Sequence, residues 1–420
     1  MRVAVIGAGI GGMAAAYDLA RAGHAVTVFE AEAAPGGLGG GFRDPAWEWS
    51  VEKFYRHWFT SDRDILGFIR ELGWQRDVVV RRPVTAVYHA GSFFALDSIP
   101  SFLTFPGLPL PLRIWNLFIA GTFLKLNPFW KPFEAHSADA WMRRWFGRRI
   151  YEDMWKPLLI GKFGEGYYRS IPMSWFWARM HSRTPNLATF EGGMQALLDR
   201  LAERLGTLGA AVRLSAPVRG VESLPEGGLT LALDSGRESY DSCLATVSPH
   251  RLADLAPGLP EEYVRRLRSL RHMGAVVMVF ALRRPLSVRG VYWHNLPKEA
   301  GFPFLAMVEH TNFLPPERFG GDRIVYCGDY LPLDHEYFRL EKPELQRRFL
   351  AALPRFNPEF RADWVRRSWL FRAEYAQPVP FLNQSQRLPA VRTPMAGLYF
   401  ASMSQVYPWD RGTNFAVEIG

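Results

Sequence analysis

An α/β fold is predicted, in which a dinucleotide-binding βαβ domain is interleaved with a second domain built from a mixed sheet and helices. Three observations predict it. A glycine fingerprint sits between an apolar strand and an alanine-rich helix at the N-terminus. Strand and helix signals of the same domain return after residue 185, and separate strand-like runs recur between Gly274 and Leu331. The 420 residues, 48% apolar and 14% aromatic, are enough for two cores.

The β-branched run Arg2–Gly7, "RVAVIG", enters a glycine turn, Gly12–Ala22 reads as a helix ending near Gly23, and Ala25–Glu30, "AVTVFE", reads as a second strand. A parallel βαβ unit follows. Asp62–Leu72 has helical spacing with Asp62 as a helix-start residue. From Arg81 to about Thr184 the chain is rich in proline, tryptophan and apolar helices. The segment Phe190–Ser223 opens on Gly-Gly and an amphipathic helix, and Gly228–Pro249 reads as a hairpin plus a strand. "GAVVMVFAL", "GVYWHNL", "FLAMVEHT" and "RIVYCGDYL" form the separate mixed sheet, and Glu341–Leu353 is helical. The predicted domains are therefore discontinuous: 1–80 with 185–260 and 390–420, and 81–184 with 261–389.

Composition excludes several functions. Cys243 and Cys327 stand in no CxxC or histidine-rich pattern, so neither a disulfide framework nor a metal site is expected, and a reducing cytoplasm fits. The net charge is +9, with arginines gathered in Val264–His272 and Arg361–Arg372, which read as solvated helix faces. No nucleic-acid-binding signature accompanies them, so no nucleic-acid partner is expected. Leu108–Phe133 is the most apolar stretch, yet Arg113 and Lys125 bracket a run too short to span a bilayer. It reads as a buried helix or the wall of an apolar pocket, with peripheral membrane contact as the alternative.

The chemistry lies in the glycines. Gly7, Gly9 and Gly12 form G-x-G-x-x-G between strand and helix, with Glu30 closing the next strand. The glycines permit a tight turn, close approach to a pyrophosphate and close helix–strand packing, while the acid accepts from a ribose hydroxyl. This is the Rossmann-like dinucleotide fingerprint. In "EAEAAPGGLGGGF" five of the six residues from Gly36 to Gly41 are glycine.

Ala16, Leu19, Gly23, Glu30, Gly36 and Gly37, with "EGGMQALLDRLAERL", "SCLATVSP" and "GLYFASMSQVYPWDRGTNFAVEIG", resemble the FAD-dependent amine oxidase superfamily, most of all its protoporphyrinogen oxidase and phytoene desaturase branch. The resemblance implies FAD as cofactor. It places Gly7, Gly9, Gly11 and Gly12 at the diphosphate, Glu30 at the ribose, Gly36, Gly37 and Leu38 in a loop crowding the cofactor, and Val218 at the adenine. It also places Arg411, Gly412, Thr413 and Asn414 at the flavin pyrimidine edge. Ser402 and Met403 depart from the family's Gly-Asp.

The activity implied is oxidation or desaturation of a hydrophobic or amphipathic small molecule. Lys156, Lys162, Arg179, His181 and Arg183 lie among tryptophans and could hold an anionic head group, or could be ordinary snorkelling charge. Glu309 and His310, at the end of a strand, are the candidate acid and base. A second, shorter resemblance competes: "FYRHWFTSD" is similar to a segment of UDP-galactopyranose mutases, non-redox users of reduced flavin, and would bring His57 beside the flavin. A third reading is a non-catalytic flavoprotein whose basic, aromatic surface binds a partner or lipid.

Overall fold

The structure is a computed structural model that describes all 420 residues. Strand β1 (Arg2–Ile6), helix α1 (Ile10–Arg21) and strand β2 (Ala25–Phe29) form the expected unit. β1 pairs in parallel with β2 on one side and with Ser242–Ala245 on the other. Ala211–Arg213 and Leu398–Phe400 complete a five-stranded parallel sheet. Four of the five β1 residues are buried because both faces of the sheet are covered. Val5, Val26 and Val28 pack with α1 and the helix Met194–Thr207, while Ala4, Ile6 and Phe29 pack against a three-stranded antiparallel layer.

The second sheet has seven strands in the order 365–378, 272–282, 323–331, 306–309, 291–295, 84–89 and 92–95. His272–Leu282 shows why an unbroken apolar run forms a strand here. Val276, Met278, Phe280 and Leu282 enter one core, and Val277, Val279 and Ala281 enter the opposite one, as the period of two requires. A helical layer of residues 110–182 packs around Phe146, Phe163, Trp175 and Phe176.

Two expectations are corrected. Residues 361–372 are not a helix face, because Val365–Pro378 is an edge strand paired antiparallel with 272–282. Its arginines meet buried acids: Arg366 bonds Asp322 at 2.5 Å and Arg367 bonds Asp44 at 2.7 Å. Leu108–Phe133 is not wholly buried either. Its helix Leu110–Ile119 buries Asn116 and Ile119 and leaves Ile114 and Phe118 each 54% exposed. No helix of the structure is long and apolar enough to cross a membrane.

Candidate active site and cofactor cradle

The cradle begins where β1 turns into α1. Gly7 has φ +106°, and a β-carbon there would sit 2.6 Å from the Thr246 hydroxyl. At Gly12 it would sit 2.1 Å from the Gly7 carbonyl, so helix and strand could not close. Gly9 differs: an added β-carbon meets only the Gly36 carbonyl, at 4.0 Å. Space is therefore left at Gly9, facing the amino end of α1. Gly11 serves another purpose, because a β-carbon there would be 2.7 Å from Ala416 of the helix Thr413–Ile419. Helix crossing is what requires glycine at that position.

Glu30 closes the cradle, with its carboxylate accepting from the Ala8 amide at 2.8 Å and the Glu32 amide at 3.0 Å. The chain at 36–41 folds back onto Gly9: the Gly36 amide donates to the Ala8 carbonyl, and 37–39 make a single tight turn. Of the glycines beyond the Gly36–Gly37 pair, Gly40 and Gly41 have a steric cause and Gly39 has none. Gly40 stacks on Gly36, and Gly41 passes so near the Val51 carbonyl that a β-carbon would be 2.9 Å away. The Leu38 carbonyl accepts from the Arg56 guanidinium at 2.9 Å, and both line a cavity with Tyr55, Asp329 and Arg411. Val218, 5% exposed, starts a strand two residues after Ala216, whose amide bonds the Glu30 carbonyl.

At the other end of the chain, the side chains of Thr413 and Asn414 are already engaged. Trp58 donates to the Thr413 hydroxyl at 2.7 Å. Asn414 accepts from the amides of Asp64 and Ile65, capping the helix Arg63–Glu71. Asp62 stands at that helix start, but its carboxylate takes the Phe59 amide instead. What the segment 412–414 leaves for a ligand is backbone: the first-turn N–H groups of a helix have no acceptor within the helix.

Between these elements and the seven-stranded sheet lies a cationic cluster. Lys162 is 7% exposed, bonds Asp410 and lies 5.2 Å over the Trp175 ring. Arg179 approaches the same carboxylate at 3.6 Å, and Gln377 bridges Asp410 and Arg411. Burial pulls Lys162 down to about 7 against the pull of Asp410, and burial also draws Arg411 and Arg183 down to about 9. Burial pushes the Asp410 carboxyl up, but Lys162 and Arg179 outweigh it and hold it below its ordinary range. An aromatic column stands alongside: Phe415 stacks on Trp409, which meets Trp177, which stacks on His181. Asp410, Gln377 and Trp409 were not singled out from the sequence. The only signal was their closeness, for two of them, to the last helix start. Lys156 lies apart, paired with Glu152.

His57 sits among Phe59, Tyr292 and Trp293, with Nδ1 3.1 Å from the Tyr292 hydroxyl. Burial, then Arg183 and Arg179, lower it to about 3, so it is neutral. Glu309 and His310 do not make an acid and base pair. The Glu309 carboxylate takes the amides of Leu286 and Ser287 and anchors that turn, while His310 is wedged among Phe313, Phe319 and Tyr326. Their adjacency in sequence is divided at the strand end: Glu309 closes the strand and His310 opens a short helical turn.

The model of the flavin-containing amine oxidoreductases matches residues 10–408. The chain belongs to that family. It is an FAD-dependent oxidoreductase, as the family is. Similar solved structures include a putative protoporphyrinogen oxidase from Exiguobacterium sp. 255-15, 16% identical with a TM-score of 0.75, covering 100% of this chain and 96% of that one. An oxidoreductase from Methanosarcina mazei is 18% identical with a TM-score of 0.76, over 100% and 99% of the two chains. A reduced UDP-galactopyranose mutase is 15% identical with a TM-score of 0.74, over 99% and 93%. At these identities the likeness is one of fold. No curated protein matches the sequence significantly. The residues present fit FAD: the space at Gly9, the fixed Glu30 carboxylate and a mostly apolar cavity beyond the glycine loop, with Arg56, Asp329 and Arg411 in its wall, are the parts a long dinucleotide needs.

Proposed function

We propose that this family member oxidises or desaturates a hydrophobic or amphipathic small molecule in the cavity between the glycine loop and the seven-stranded sheet. In this reading Gly7, Gly9 and Gly12 admit the diphosphate to the amino end of α1, and Glu30 holds the ribose. The backbone of 412–414 meets the ring, and Leu38 and Arg56 border it. FAD supplies the two-electron acceptor, so the protein's share is to bind, orient and keep water out.

The observation that carries the reading is that the ionisable side chains of the cluster are engaged with one another beside an aromatic column. His57, lowered to about 3 by burial and set beside the Tyr292 hydroxyl, is a weak proton acceptor, and Asp410 is tied to Lys162 and Arg179. The aromatic column and these side chains shape and desolvate a substrate rather than take its proton, which suits direct hydride removal. A second reading has one observation in its favour: Arg56, Arg179, Arg183 and Arg411 exceed the acids near them, and such a site suits an anionic sugar nucleotide under mutase-like, non-redox chemistry. Anaerobic mixing of the yellow holoprotein with candidate substrates separates the two. Bleaching of the flavin absorbance with formation of an oxidised product is the expected result. Turnover only after chemical reduction, with the substrate's oxidation state unchanged, would replace it with the mutase reading.

A further inference from the structure

Of the fifteen large apolar side chains exposed on the molecule, eight fall between Ile99 and Phe129. Ile99 is 63% exposed, Leu126 77% and Phe129 72%. The helix Leu110–Ile119 is turned inside out relative to a soluble surface helix. Its one amide side chain, Asn116, is 2% exposed and bonded to the carbonyls of Leu112 and Phe146, whereas Ile114, Trp115 and Phe118 face outward. Apolar side chains scattered singly need no explanation, but a contiguous group of this kind marks an interaction surface.

Charge identifies what covers it. Residues 98–133 contain no aspartate or glutamate and carry Arg113, Lys125 and Lys131, the last of them paired with Glu134. Exposed Arg144, Arg148 and Arg149 border the patch, since Trp115 donates to the Trp145 carbonyl and Arg149 to the Gly107 carbonyl. A second copy related by a two-fold axis would set these cations against themselves. An anionic bilayer offers the opposite: apolar depth for Ile114, Phe118, Leu126 and Phe129, headgroup charge for the arginines, and an interface for Trp115.

We infer that residues 99–129 dock this protein on an anionic membrane surface, inserting shallowly into one leaflet without spanning it. The docking face is tied to the candidate site. Lys125 donates to the carbonyls of His181 and Arg183, and Trp177 donates to the Asn127 carbonyl. The docked segment thus grips the helix Met173–Ser182, which carries Arg179 and Trp177. This inference does not depend on which chemistry the flavin performs.

The test is cosedimentation of the FAD-loaded full chain with vesicles of phosphatidylcholine alone and of phosphatidylcholine with about one-third phosphatidylglycerol. Binding to the anionic vesicles at least tenfold tighter than to the neutral ones, and weakened by added salt, is the expected result. The double variant Leu126→Glu, Phe129→Glu changes only exposed side chains and should lose that binding with flavin content and melting temperature unchanged. Absence of sedimentation with anionic vesicles overturns the inference, as does full binding by the double variant. Reversible dimerisation in solution that the same variant abolishes would also overturn it, assigning the face to a second copy.

Discussion

A β-carbon at Gly12 would lie 2.1 Å from the Gly7 carbonyl, while one at Gly9 would meet nothing nearer than 4.0 Å. Two substitutions three residues apart should therefore fail differently. Gly9 has φ −71° and ψ 167°, a backbone valine accepts, so Gly9→Val should fold and purify colourless because its side chain fills the cradle. Gly12→Ala should lose soluble protein, because a backbone clash opens α1 from β1. Melting temperature and flavin absorbance, read together, distinguish the two. Glu30→Gln keeps the shape and one acceptor but removes the charge, and should weaken FAD binding about tenfold by titration of the apoprotein, near the value of one charge-assisted hydrogen bond.

Elements are joined here by caps drawn from distant sequence. Asn414 closes the amino end of the helix Arg63–Glu71 and also donates to Asp64. Asn414→Ala should cost about 1–2 kcal/mol in denaturant unfolding and loosen the flavin, since the same residue lies in the first turn of the last helix. Such a link could not be read from spacing, because Asp62 carries every local mark of a cap while its carboxylate is used elsewhere. The βαβ unit was legible because its periods and glycines are local. The strand 365–378 was not: its arginines suit a helix face when counted alone, and only pairing with 272–282 and the buried Asp44 and Asp322 makes it an edge strand. Likewise, the apolar character of 108–133 was plain, but which of its faces turned outward depended on Asn116 finding two carbonyls inside.

Across the whole molecule, buried ionisable groups give stability two opposing dependences on pH. Burial lowers His310 from 6.5 to about 4, so the unfolded chain binds a proton that the native one refuses, and stability is lost as pH falls through that window. Burial raises Glu309 from 4.5 to about 7, so stability is lost as pH rises through that window. His310→Phe should recover about 2 kcal/mol of the loss seen on going from neutral to about pH 5. Glu309→Gln should flatten the neutral side instead, and melting curves at several pH values would show each change. The site itself was half legible: its glycines and Glu30 announce themselves by spacing, whereas Asp410, Gln377 and Lys162 come from segments far apart in the chain and meet only in the folded molecule.

The strand order of the five-stranded sheet also sets a timetable. β1 is synthesised well before its neighbour at 242–245, and the strand 398–400 that completes the sheet is made later still. Parallel pairing over such separations is slow, because loop closure precedes any gain from contact. The nascent chain must hold its nucleotide cradle unfinished until those later strands are made, with the strands of the seven-stranded sheet synthesised in between.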